Sequence, residues 1–227
     1  MATDGGNPAL TADATITITT VGQNNHAPVF ANSAISISLL EGLDNGTLIA
    51  TVSATDADCL DTPKLRYSIV GNSTDFAVHP TSGQVTTNGT FDREGQSFYS
   101  VLVTVTDNED PIPRTSRMQI EIVILDRNDN RPAFDQLLFV ATLPEDSPAG
   151  TAAAVVRASD VDYSENGTVS YSLLTTTNRF EINSTTGVIL TTDTFDYDNG
   201  DRVFHLRVNA VDLGTPALAV AVAATVR

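Results

Sequence analysis

Tryptophan is absent from the 227 residues, and cysteine occurs once, at Cys59. A lone cysteine excludes an internal disulfide, so any stability must come from apolar cores or bound ions. Basic residues are scarce as well: 12 Lys and Arg face 28 Asp and Glu, for a formal net charge of −16. Such a balance argues against nucleic acid or an anionic membrane surface as partner and favours cations. No apolar run approaches the ~20 residues of a bilayer-spanning helix, and the opening MATDGGNPAL lacks the charged and apolar regions of a secretory leader. The expectation is a soluble excerpt. His26, His79 and His205 are scattered without a zinc spacing. Paired carboxylates such as Asp92 and Glu94 recur along the chain without an apolar pocket to raise one pKa, which excludes acid–base catalysis and makes the chain a non-enzyme.

Strand periodicity fills the space these absences leave. TITIT from Thr15, ISISL from Ile35, VLVTVT from Val101 and MQIEIVI from Met118 alternate with period two, and no stretch sustains a 3.6 period. The fold class is all-β. Turn signals at Asp44-Asn45-Gly46, Thr81-Ser82-Gly83, Asn88-Gly89 and Thr186-Gly187 punctuate the runs at short intervals, as in a Greek-key sandwich. Acceptor sequons at Asn45, Asn72, Asn88, Asn166 and Asn183 favour glycosylation and an extracellular setting.

Slid against itself by 104 residues, the chain repeats. Glu41 falls on Glu145, Asp56 on Asp160, Asp58 on Asp162, Asp92 on Asp196, Pro28 on Pro132 and Phe30 on Phe134. The expected organisation is one repeat over 25–129 and a second over 130–227. Residues 1–24 match the end of a preceding repeat, since DGGNPAL from Asp4 resembles DLGTPAL from Asp212.

The most acidic punctuation is LDRNDNRPAF, Leu125 to Phe134. An extended, proline-ended linker rich in Asp and Asn, with acidic loops on either side, suits calcium, which takes six to eight oxygen ligands in flexible geometry. The segment resembles the D-x-N-D-N-x-P-x-F linker of cadherin repeats, and the family's other motifs stand in order around it: an acidic residue at Glu41 and Glu145, D-R-E at Asp92 to Glu94, and D-x-D at Asp56/Asp58 and Asp160/Asp162. The resemblance implies tandem seven-stranded sandwiches of immunoglobulin-like topology joined by calcium-binding linkers. It implies a complete junction of about three calcium ions held by Glu41, Asp92, Glu94, Asp126, Asn128, Asp129, Asp160, Asp162 and Asp212, with the carbonyls of Arg127, Asn130 and Asn166.

Two further junctions depart from that pattern. Upstream, VGQNNHAP from Val21 places Gly22 and Asn25 where Asp126 and Asp129 stand, leaving Asn24, Asp56, Asp58 and Asp107 for a weak site at most. Downstream, Glu145, Asp196 and Asp198 form half of a junction. By resemblance, these are interior repeats of a large Fat-, Dachsous- or protocadherin-like receptor, extracellular on a single-pass plasma-membrane protein. Their expected role is calcium-dependent adhesion to other cadherin ectodomains, homophilic or heterophilic. The alternative is that they act as spacers. Nucleic acid is not an expected partner, and the membrane is reached only through a transmembrane segment outside these residues.

Overall fold

The computed structural model describes residues 1–20, 22–58, 64–71, 74–107, 112–220 and 223–226, so Cys59, Asn72 and Thr62, which the offset of 104 sets at the position of Asn166, lie outside the described residues. The described residues form twenty strands and no α-helix. Near the start, β1 (Ala2–Thr3) pairs with β2 (Thr11–Ala12).

The first repeat uses β3 (Val29–Phe30), β4 (Ala34–Leu40), β5 (Leu48–Thr51), β6 (Ala54–Thr55), β7 (Arg66–Ile69), β8 (Phe76–Val78), β9 (Gln84–Thr87), β10 (Phe98–Thr106) and β11 (Thr115–Leu125). They order as β4-β11-β10-β7, β5-β9-β8 and β3-β6. Sequence neighbours are thus split between sheets, as a Greek key requires. Two strands are each broken in two, β3 with β4 and β5 with β6, which reduces nine segments to seven strands. In β11 every second side chain is buried, and Met118, Ile120, Ile122 and Ile124 are each at most 3% exposed. That alternation fixes the register, since a one-residue slip would turn four apolar side chains to water at about 1.5–3 kcal/mol each.

The second repeat repeats the plan with β12 (Ala133–Phe134), β13 (Leu138–Phe139), β14 (Ala152–Val155), β15 (Ala158–Ser159), β16 (Val169–Leu173), β17 (Phe180–Ile182), β18 (Val188–Thr191), β19 (Leu206–Asp212) and β20 (Ala224–Val226). Its sheets are β13-β20-β19-β16, β14-β18-β17 and β12-β15. Phe180 stacks on Phe195 at 5.3 Å, and Phe204 meets both rings edge-on at 5.2 Å, above Val156, Ile189 and Val208.

Local geometry recurs at the same offset of 104. Tyr67 takes a hydrogen bond from the Ala54 N–H as Tyr171 does from Ala158, both at 2.9 Å. The Thr47 N–H donates to the Thr87 hydroxyl and the Thr151 N–H to the Thr191 hydroxyl, at 2.9 and 3.0 Å. At twice that offset, the Asp4 carboxylate accepts from the N–H groups of Gly6 and Leu10, as Asp212 accepts from Gly214 and Leu218.

One expectation fails. TITIT forms no strand: β2 ends at Ala12, and Ile16 and Ile18 are 83% and 84% exposed. Alternation is necessary for a half-buried strand but not sufficient. Among the described residues no strand lies alongside 13–20 to share a ladder, so these side chains have no face to bury.

By compactness the chain falls into two units, residues 1–35, 48–86 and 101–120, and residues 36–47, 87–100 and 121–227. The second contains every residue expected at the 126–130 junction.

Candidate metal centre

Glu41 follows β4 and is 2% exposed. Its two oxygens accept the backbone N–H groups of Arg127, at 2.7 Å, and Arg93, at 2.8 Å, so one carboxylate ties the D-R-E loop to the linker. Asp126 accepts the Tyr163 N–H at 3.0 Å and the Asn166 amide at 2.8 Å. Asn130 donates its backbone and side-chain N–H groups to the two oxygens of Asp162, at 3.2 and 2.6 Å, and its amide also reaches Asp129 at 2.9 Å. Within the D-x-D loop, the Asp162 N–H donates to Asp160 at 3.0 Å. Asn128 donates its amide to Asp212 at 3.0 Å and to the Pro216 carbonyl at 2.6 Å.

These bonds aim carboxylates at one another. One oxygen each from Glu41, Glu94 and Asp129 lies within 4.8 Å of the others, and so does one each from Glu94, Asp126 and Asp162. Glu94 belongs to both groups, which makes it a bridge between two cation-sized clusters. Asp92 joins neither: it is exposed, and its Oδ1 accepts the N–H groups of Glu94, at 3.1 Å, and Gly95, at 3.3 Å, shaping the loop that presents Glu94.

Buried polar atoms without a hydrogen-bond partner test whether a cation fits. Among the described residues they include Glu94 Oε2, Asp126 Oδ1, Asn128 Oδ1 and Asp160 Oδ2 here, and Asn24 Oδ1, Asp56 Oδ2 and Asp107 Oδ2 upstream; the only other is Arg179 Nε. Buried oxygens are rarely left orphaned, and seven that are all acceptors call for a positive ligand rather than a donor network. Gly214 clears the space beside them. A Cβ there would lie 2.3 Å from the Asn128 amide nitrogen and 2.6 Å from Asn166 Oδ1.

The carboxylates register their crowding. Burial, then repulsion from Glu41, pushes Glu94 up to about 7. Burial, followed by the charges of Glu41 and Asp162, raises Asp129, and burial raises Asp160. The acidic clusters can hold metal once ionised.

At the upstream junction, Asp58 accepts the N–H groups of Asn25 and His26 at 3.0 and 2.8 Å, and its other oxygen meets His26 Nδ1 at 2.9 Å. His26 thus stands to Asp58 as Asn130 stands to Asp162, and its side chain and N–H hold that carboxyl below the usual range. The Asp56 Oδ1 accepts the Asp58 N–H at 2.9 Å, and the Asp107 Oδ1 accepts the Arg114 N–H at 2.8 Å. Asn24 donates its amide to the Ile112 carbonyl at 3.3 Å. Downstream, Asp196 is engaged with its own turn through Asn199, which lowers its pKa, and Glu145, Asp196 and Asp198 form no metal-sized group among the described residues.

Sequence reasoning missed what motifs do not encode. Asn128 presents an orphaned oxygen by anchoring its amide nitrogen to Asp212. Arg93, the middle residue of D-R-E, places its guanidinium carbon 4.2 Å from the Tyr163 ring centroid. The glycine two residues after Asp212, matched by Gly6 after Asp4, was the available sign of the Gly214 cradle.

With the geometry in place, the comparisons agree. The Cadherin domain model matches residues 35–125 and 139–227. The chain is 34% identical over 227 residues to Cadherin EGF LAG seven-pass G-type receptor 3 of Mus musculus, covering 96% of this chain and 7% of that protein. It is 36% identical to the Protocadherin-like wing polarity protein stan of Drosophila melanogaster, covering 100% of this chain and 6% of that protein. Among solved structures, mouse Cadherin-23 EC22-24 superposes with a TM-score of 0.86 at 29% identity, over 99% of this chain and 71% of that one. Sheets, acidic clusters and sequence agree on one non-enzymatic family of adhesion repeats, and the chain belongs to the cadherin family.

Proposed function

We propose that residues 25–129 and 130–227 are two repeats in the extracellular part of a membrane-anchored adhesion receptor, preceded by the end of another repeat at 1–24, and that calcium clamps the 126–130 junction. The observation that carries this is the set of orphaned oxygens on Glu94, Asp126, Asn128 and Asp160 around the two clusters that share Glu94. Glu41, Asp92, Asp129, Asp162 and Asp212 complete a set of eight carboxylates, Asp212 also orienting Asn128 and Asp92 also shaping the loop beneath Glu94, and the carbonyls of Arg127, Asn130 and Asn166 are the further ligands. About three ions supply about +6 against eight carboxylates. Without them, two like charges ~5 Å apart cost roughly 3 kcal/mol each at an effective dielectric of about 20, which loosens the linker. Upstream, Asn24, Asp56 and Asp107 retain enough oxygen for a single weaker ion. The number of membrane passes is immaterial to this role, one relative being named a seven-pass receptor.

Adhesion between cadherin ectodomains is the favoured role. A spacer role is the second reading; the chain spans only 6–7% of the length of the curated relatives it matches. Sedimentation in calcium separates the two, since self-association requires an adhesive surface and a persistent monomer supports the spacer. For the clamp, Asp129→Ala is expected to lower calcium affinity severalfold by titration calorimetry and to remove most of the calcium-dependent extension in small-angle scattering, with each sandwich still folded. Magnesium, which keeps its waters and demands octahedral geometry, is expected to substitute poorly. Unchanged affinity and extension in Asp129→Ala would overturn the clamp.

Glycans divide the sequons by geometry. Asn45 is exposed at a turn, whereas the Asn166 amide nitrogen donates to Asp126 at 2.8 Å, where a sugar on it would crowd the acidic cluster. Asn88 is exposed, and Asn183 is exposed with only its Oδ1 engaged, by the N–H groups of Thr185 and Thr186, so its nitrogen is free for sugar. Peptide mapping of protein from mammalian cells is expected to find Asn45 and Asn183 occupied and Asn166 bare.

A further inference from the structure

Arg93 and Tyr163 make a contact that the calcium reading does not use. The Arg93 guanidinium carbon lies 4.2 Å from the Tyr163 ring centroid, within the range of a cation–π interaction. Its Nη1 is 3.3 Å from Glu94 Oε1 and 3.5 Å from Asp126 Oδ1, the second a loose ion pair. The arginine side chain is 19% exposed, yet Tyr163 is 62% exposed, so burial does not explain where the ring sits. Two backbone bonds fix the partners from behind: the Arg93 N–H on Glu41 at 2.8 Å and the Tyr163 N–H on Asp126 at 3.0 Å. The guanidinium is therefore held between two carboxylates of the shared cluster on one side and an aromatic face on the other.

We propose that Arg93 and Tyr163 form a metal-independent latch that holds the D-x-D loop, 160–166, on the D-R-E loop, 92–94. Calcium draws its ligands from carboxylate and carbonyl oxygens, and it meets the guanidinium only at Glu94 and Asp126; the ring contact with Tyr163 uses no oxygen, so it persists whether or not an ion takes those carboxylates. In chelated protein the guanidinium sets a positive charge against both Glu94 and Asp126, and it keeps the loops close enough for an arriving ion to find its ligands together. The pre-assembled site then binds without first closing the linker. This inference builds on the calcium reading only in that last consequence; the latch itself is tested without calcium.

The test is limited trypsin digestion in EDTA, following cleavage of the Arg127–Asn128 bond by mass spectrometry, since cleavage tracks the population of the open form. Arg131 precedes proline and resists trypsin. Arg93→Ala and Tyr163→Leu are each expected to speed that cleavage roughly two- to tenfold, the range to which a cation–π contact of this exposure converts. The double variant should be no faster than the faster single one. Tyr163→Phe, which keeps the ring, should behave as the unaltered protein, and Arg93→Lys should fall between because it keeps the charge and loses the flat stacking surface. Tyr163 is exposed enough that its substitution leaves folding intact, checked by an unchanged melting temperature in calcium. Cleavage unchanged by Tyr163→Leu, or additive effects in the double variant, would overturn the latch while leaving the calcium titration, measured separately, to judge the clamp.

Discussion

In EDTA the protein is expected to be more stable near pH 5.5 than near pH 7.5, by about 2 kcal/mol, and saturating calcium is expected to reverse that order. The cause is Glu94, whose carboxyl rises from 4.5 to about 7 through burial and the charge of Glu41, with Asp129 and Asp160 raised in the same direction. A carboxyl whose folded pKa lies above its unfolded value binds more protons when folded. Between 4.5 and about 7 each rise in pH therefore favours the unfolded chain, and the loss is complete above about 7. Calcium needs the ionised carboxylate, so its stabilisation grows over the same interval, by about 3 kcal/mol at a hundredfold excess over its dissociation constant. With dissociation constants on the order of 10⁻⁴–10⁻³ M, that excess is reached at about 10–100 mM calcium at neutral pH. Urea midpoints at several pH values, with and without calcium, read both arms. A metal-free stability that stayed flat or rose across this interval would mean that Glu94 is not buried against Glu41.

The repeat was legible because it rests on spacing. An offset of 104 carries Glu41 to Glu145 and Asp56 to Asp160, and side-chain alternation in MQIEIVI reads directly as the buried face of β11. The candidate ligands could be named as residue types, since oxygen-rich motifs are what a calcium site would require. Their grouping was not. That Glu94 belongs to both carboxylate groups while Asp92 belongs to neither depends on which oxygen each turn points inward, a matter of angles rather than composition. Arg93 on Tyr163 was invisible for a similar reason: the two are 70 residues apart, and neither belongs to a periodic pattern. TITIT failed in the opposite way. Its period is that of a strand, but a strand is a relation between two segments, and periodicity describes only one of them.

Gly187→Ala is expected to cost more than about 3 kcal/mol, and Gly46→Ala only about 1 kcal/mol, although both glycines have positive φ, +67° and +85°. What separates them is space. A Cβ on Gly46 would meet nothing within 4 Å, so the substitution carries only the strain of a left-handed backbone. On Gly187 the new carbon would lie 2.3 Å from the carbonyl oxygen of Val156 and 3.3 Å from its carbonyl carbon. Backbone cannot rotate away as a side chain can. Val156 is fully buried, and its N–H donates to the Gly187 carbonyl at 3.0 Å, so relieving the clash breaks a hydrogen bond between buried groups and displaces a core residue beside Ile189. Gly83 stands in the same relation to Val52 in the first repeat, where a Cβ would lie 2.1 Å from the Val52 carbonyl oxygen, so Gly83→Ala should match Gly187→Ala in size. Because neither glycine belongs to the acidic clusters, both losses should appear equally in EDTA and in calcium. Urea unfolding read by far-ultraviolet circular dichroism checks this: Gly187→Ala and Gly46→Ala with equal midpoints would mean that the turn does not pass this close to Val156.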